Sequence, residues 1–222
     1  MVIPVSFDSV DLDTVLSEWL GNSRDFPAQA VAILGPDPFG GIDDRQLVAV
    51  HPQSCTAAGQ ALAASGDFGA PWRESAAPLV AWQSLSRPEQ PGGKPWRGLW
   101  AARGFHSIVR VEFPLPADRA FECFMFTQRE LVDRNEAAVL VWAAMNVWPL
   151  VRRAIGVRRS SLSPRERECL QLAFQGLTAR ETAGLLQCAE RTVNYHLANA
   201  MGKLKVDNKL AAIQRACWLG AI

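Results

Sequence analysis

Residues 162–206 read LSPRERECLQLAFQGLTARETAGLLQCAERTVNYHLANAMGKLKV, and helix starts and stops can be laid out along this stretch directly. Ser163, Pro164 and Glu166 stand at the N-cap, first-turn proline and N3 positions of a capping box. Leu170, Leu172, Ala173 and Phe174 then supply an inward stripe, and Gly176 ends the helix. Thr178 and Glu181 repeat the capping signature ahead of Ala183, Leu185 and Leu186. After a break at residues 187–189, Val193, Leu197, Ala200, Met201 and Leu204 recur at helical spacing. Asp207 is the expected cap of a last helix carrying Leu210, Ile213, Ala216, Cys217 and Leu219. Four short helices result, and the very short turn between the second and third predicts a helix-turn-helix.

The third helix asks for an explanation. With Val193, Leu197, Ala200 and Leu204 turned inward, Arg191, Asn194, Tyr195, Ala198 and Asn199 face outward, a concentration of planar hydrogen-bonding groups. A helix-turn-helix lays this second helix of its pair in the major groove. There, asparagine pairs in bidentate fashion with adenine and an aromatic ring can contact a thymine methyl. Charge agrees. Residues 152–222 hold 12 Lys and Arg against 5 Asp and Glu, a net of +7, while residues 1–151 hold 11 against 17, a net of −6. The whole-chain value of +1 hides a basic C-terminal part that suits a polyanion.

Residues 162–222 resemble the C-terminal DNA-binding domain of LuxR-type transcriptional regulators. Glu166, Leu170, Gly176, Thr192, Val193, His196, Lys203 and Leu204 hold the family's spacing. The resemblance implies double-stranded DNA with an inverted-repeat operator as partner, bound by a homodimer. It gives Asn194 and Tyr195 base contacts, with Asn199 on the same face. Thr178 and Thr192, at helix N-termini, suit phosphates, as do Arg191, Lys203 and Lys205. His196 reads as a structural or phosphate-side residue. Ala189 departs from the family, which has a serine cap there, so this helix start is expected to be less firmly held.

Upstream, FDSVDLDTVLSEWLG reads as a helix, QAVAILG and QLVAVHP as buried strands, and SCTAAGQALAASG as a helix. Residues 84–96, rich in Pro and Gly, read as a loop. SIVRVEFPLP and RAFECFMFT read as two strands, and residues 130–155 as one long apolar helix, bent near Pro149, that offers the dimer surface. The expected fold is therefore α+β: an N-terminal α/β/α sandwich over 1–151, a basic linker at 152–161, and the four-helix helix-turn-helix domain over 162–222. A frayed helix end accounts equally well for Arg152 and Arg153.

In the family, the N-terminal sandwich binds an N-acyl homoserine lactone. PLVAWQS resembles the segment with a family tryptophan, which places Trp82 there, and the family spacing places the amide-binding aspartate at Asp67. Turn and core roles compete for both residues. The family proline after that aspartate is Phe68 here. The family's carbonyl-holding tryptophan and tyrosine fall at Ser54 and Ala58, or at Cys55 and Gly59. A family glycine falls near Ile108. Each missing donor leaves a ligand carbonyl unsatisfied, at about 1–3 kcal/mol, so two losses weaken binding on the order of a hundredfold. An atypical or absent lactone response is expected. No cofactor is implied, and a small-molecule signal, if there is one, has no assignable identity.

Other classes fit less well. The five cysteines, Cys55, Cys123, Cys169, Cys188 and Cys217, lie among apolar neighbours without CxxC spacing, as reduced buried thiols do. The N-terminus lacks a signal-peptide pattern, and the apolar run at 137–151 is shorter than the roughly 20 residues of a membrane span. A cytoplasmic protein is the expectation. His51 and His106 have no evident catalytic partner, which argues against an enzyme. The paired acids of IDDR lack the accompanying pattern of a response regulator. The remaining alternative is an interaction module that pairs with a related regulator and inhibits or modifies it.

Overall fold

The computed structural model describes residues 11–21, 28–36, 45–65, 80–85, 94–115 and 119–222. The chain divides into two compact units, one running from Asp13 to Pro149 and the other built on Leu150–Ile222. The first contains strands β1 (Ala30–Pro36), β2 (Arg45–His51), β3 (Val80–Ser84), β4 (Ser107–Leu115) and β5 (Arg119–Thr127) in one antiparallel sheet of order β2-β1-β5-β4-β3. Its helices are α1 (Leu12–Gly21), α2 (Thr56–Ala64), α3 (Pro95–Ala101) and the first part of α4 (Arg134–Ser160).

Strand register decides what each face does. Ile108 pairs with Phe126, Arg110 with Phe124 and Leu34 with Glu122, so these side chains share one face. There, Ala58 and Leu62 of α2 and Trp96 and Trp100 of α3 close a buried cluster with Ile108, Phe124 and Phe126. The opposite face carries Val31, Ile33, Val109, Cys123 and Met125, all buried. Helix α4 lies over this face, where Trp148 stacks on Phe113 with ring centroids 3.9 Å apart. Helices thus flank the sheet on both sides, as the expected sandwich requires. Burial of both faces is also why β1 and β5 read as nearly unbroken apolar runs.

Several expectations need correction. The loop read over 84–96 ends early, because Pro95 is the first residue of α3, a position where its missing N–H costs nothing. The long helix begins at Arg134, with Asp133 Oδ1 accepting from Asn135 N and Glu136 N, rather than at Glu130. It also runs on through Ser160, so the stretch expected to link the two parts is helical over all but its last residue. At 27 residues, α4 is long and apolar enough to cross a bilayer by length and composition, unlike the shorter run read from sequence. It nevertheless buries Leu140 and Ala144 within the unit, as a helix covering a sheet does.

In the C-terminal unit, α5 (Pro164–Phe174), α6 (Ala179–Leu186), α7 (Glu190–Lys203) and α8 (Lys209–Leu219) form the four expected helices. Both predicted capping boxes are present, Ser163 with Glu166 and Thr178 with Glu181. The α8 cap is Asn208, whose Oδ1 accepts from Ala211 N, and not Asp207. The last turns of α4 pack here on the end of α8. A Cβ on Gly156 would lie 2.2 Å from the Leu219 carbonyl oxygen, so only glycine permits that approach. Arg152 Nη2 donates to Cys217 O at 3.2 Å, satisfying a carbonyl at the α8 C-terminus.

The five cysteines are free. Burial raises the Cys123 thiol to about 12, which makes it inert in the folded sheet.

Candidate nucleic-acid interface

The helix-turn-helix is α6, a turn at Gln187–Ala189, and α7. Gln187 takes a left-handed conformation with φ 51°, and Cys188 N returns to Ala183 O at 3.0 Å, so the chain reverses within three residues. Val193, Leu197 and Ala200 anchor the inner side of α7. That leaves Arg191, Asn194 and Tyr195 exposed and Thr192, His196 and Asn199 half-buried at the margins. Tyr195 is 63% exposed, high for an aromatic ring, and stands edge-on to His196 with centroids 5.7 Å apart.

Two predicted contact residues have other work in the free protein. The Thr178 hydroxyl donates to Glu181 Oε2 at 2.7 Å and accepts from Glu181 N at 3.2 Å, which occupies it in the cap. Lys203 Nζ donates to Glu166 Oε2 at 2.8 Å, tying the last turn of α7 to the first turn of α5. Burial pushes the Glu166 carboxyl up, but the Lys203 ammonium and the Ser163 N–H outweigh it and hold the group below the usual carboxylate range. Lys205 is exposed and adopts φ 53° just past the helix.

Sequence reasoning missed Arg215. Its Nη1 donates to Leu204 O at 2.6 Å and Lys205 O at 2.9 Å, closing the α7 C-terminus. Its only sequence signal is a cation on the last helix. The α7 N-terminus has no counterpart, for Ala189 makes no side-chain cap bond.

In the N-terminal unit, Asp67 lies outside the described residues. Trp82 pairs with Val109 and therefore sits on the α4 face, opposite the Trp100 cluster. There it lines a groove of about 510 Å³ with Val80, Arg134, Ala137 and Trp142 among its neighbours. On the α2 and α3 face, Trp100 stacks on Phe126 with centroids 3.5 Å apart, and Phe105 meets the Trp100 ring edge-on. Farther along that face, Glu122 bridges Arg45 and Arg110 at 2.7 and 2.9 Å.

A capped scaffold that presents an exposed polar helix after a tight turn defines the class of helix-turn-helix DNA-binding proteins. Residues 160–216 match the family model described as bacterial regulatory proteins, luxR family. The chain is 48% identical over 66 residues to the HTH-type quorum sensing-dependent transcriptional regulator RpaR of Rhodopseudomonas palustris, covering 30% of this chain and 27% of that protein. It is 32% identical over 127 residues to the transcriptional activator protein LuxR of Aliivibrio fischeri, covering 52% of this chain and 50% of that one. The second match is longer than the C-terminal unit and so reaches into the N-terminal one. The chain spans about half or less of the length of these relatives. It also resembles the crystal structure of Escherichia coli SdiA, with 18% identity, a TM-score of 0.46, and coverage of 97% of this chain and 94% of that one.

Proposed function

We propose that the chain is a cytoplasmic, dimeric, sequence-specific transcriptional regulator with an atypical or absent response to acyl homoserine lactones. The observation that carries the DNA-binding reading is the exposed α7 face with Asn194 and Tyr195 at its centre. In this reading these two contact bases in an inverted-repeat operator, while Arg191, Thr192 and Lys205 hold phosphates and Asn199 and His196 flank them. Lys203 joins the phosphate contacts through its remaining N–H donors while keeping its bond to Glu166, whereas Thr178 donates to a phosphate only by releasing its O–H from Glu181.

The sensor reading assigns residues 1–151 to dimerisation and signal input. The stacked rings beneath α2 and α3 support folding without a ligand, because each buried aromatic contributes about 2–3 kcal/mol from the protein's own core. Trp82, on the other face, does not join them. A second reading, a partner that heterodimerises with a related regulator, is favoured by the uncapped α7 start and the exposed α4 face.

The test is fluorescence anisotropy with inverted-repeat duplexes selected from a random pool. Asn194→Ala and Tyr195→Ala should each weaken binding by about 1–3 kcal/mol and relax preference at one base position, with unchanged melting temperature. Full affinity in both variants would remove α7 as the reading helix. A melting temperature raised by any lactone would overturn the ligand-independent reading.

A further inference from the structure

The outward face of α7 is uneven in its chemistry. From Thr192 to Gly202 it carries no lysine or arginine, and its cations stand at the two ends, Arg191 in the first turn and Lys203 in the last. Asn194, Tyr195 and Ala198 are exposed between them. Ala198 follows Asn194 by four residues and Tyr195 by three, so the three form one patch with about 5–6 Å between neighbouring Cβ atoms. Exposed Gly202 continues the row, and nothing lies within 4 Å of where its Cβ would stand. The centre of this face is therefore low and uncharged, which lets the helix backbone come close to a groove floor.

Each exposed group suits a different base edge. The Asn194 amide presents one donor and one acceptor, matching the N7 acceptor and N6 donor of adenine. Guanine shows two acceptors there, and its O6 would face the amide oxygen. The tyrosine ring and the alanine methyl suit the C5 methyl of thymine, which cytosine lacks. Guanine is read chiefly by arginine or lysine, and neither stands in the central stretch. Four residues of helix rise about 6 Å, close to two base-pair steps of ~3.4 Å, so the patch covers about three adjacent pairs.

We propose that Ala198 determines specificity together with Asn194 and Tyr195, and that α7 selects consecutive A·T pairs at the core of each half-site. Adenine meets Asn194, and thymine methyls meet Tyr195 and Ala198. This selectivity rests on α7 being the reading helix and names the bases that reading leaves open.

The experiment uses the full chain and the duplex selected from a random pool. At each A·T pair of its core, uracil replaces thymine, removing only the methyl, or 7-deazaadenine replaces adenine, removing only the N7 acceptor. The wild type should lose about fourfold in affinity at the uracil positions. It should lose about 2–12-fold at one 7-deazaadenine, to which Asn194→Ala should be insensitive. Repeating the selection with Ala198→Arg, an exposed and helix-compatible change, should move one preferred pair from A·T to G·C. An unchanged preference in that variant would overturn the role of Ala198. A G·C core whose binding still falls in Asn194→Ala and Tyr195→Ala would overturn the selectivity and leave α7 as the reading helix. An A·T core indifferent to both base analogues would also overturn it, because the preference would then come from duplex shape. Full affinity in Asn194→Ala and Tyr195→Ala, or a pool that yields no preferred duplex, would remove the reading helix and the selectivity together.

Discussion

At Glu166 one carboxylate oxygen serves two elements, accepting from Ser163 N at the start of α5 and from Lys203 Nζ at the end of α7. Because its folded value is lowered, the stability it contributes is present above the unfolded value, about pH 4.3, and is lost as pH falls through the folded one. Urea denaturation between pH 7 and pH 3 should show this loss in the wild type. Glu166→Gln should start about 1–3 kcal/mol lower and lack that component. Parallel curves for the two proteins would mean the pair does not hold the helices together. The capping role of Glu166 is written locally, three residues after Ser163. Its partner is not, since Lys203 lies 37 residues away and reads from sequence only as one cation among several. Trp82 shows a similar limit. Its identity suggests a family position, but which sheet face it occupies depends on register with β4, and a one-residue slip reverses the face.

Helices α5 and α6 were legible to their caps because capping boxes are local chemistry. Helix α7 lacks one, and Ala189→Ser should stabilise the C-terminal unit by about 0.5–2 kcal/mol in thermal melts. An unchanged melt would show that Glu190 and the turn already satisfy the helix start. The last turns of α4 were misread for a physical reason. A glycine among basic residues looks like a linker, yet Gly156 marks where one helix backbone lies against another. Gly156→Ala should therefore destabilise by about 1–3 kcal/mol despite raising helix propensity. An increase in stability on denaturation would show that the contact with Leu219 yields freely. Helix α3 was missed because its first residue, Pro95, closes a Pro- and Gly-rich stretch, and punctuation of that kind marks a helix start as readily as a turn.

On the scale of the molecule, α4 is the element with too much apolar surface for the chain that carries it. Trp142 is 68% exposed, and Val139 and Met145 are about half exposed on the same helix. Contiguous apolar area of this kind marks an interaction surface, and the homodimer proposed above is the occupant it suits. Trp142→Glu should convert a dimer to a monomer in sedimentation equilibrium and weaken binding to an inverted repeat far more than to a half-site. A dimer that persists would move the interface elsewhere. Finally, the Cys123 thiol gives this molecule a clock. It sits at the middle of the central strand, and Cys169 sits fully buried in the other unit. Neither can meet a labelling reagent until its surroundings open, so each modification rate measures the opening of one body. Equal rates would mean that the two units open together, and unequal rates would rank which yields first.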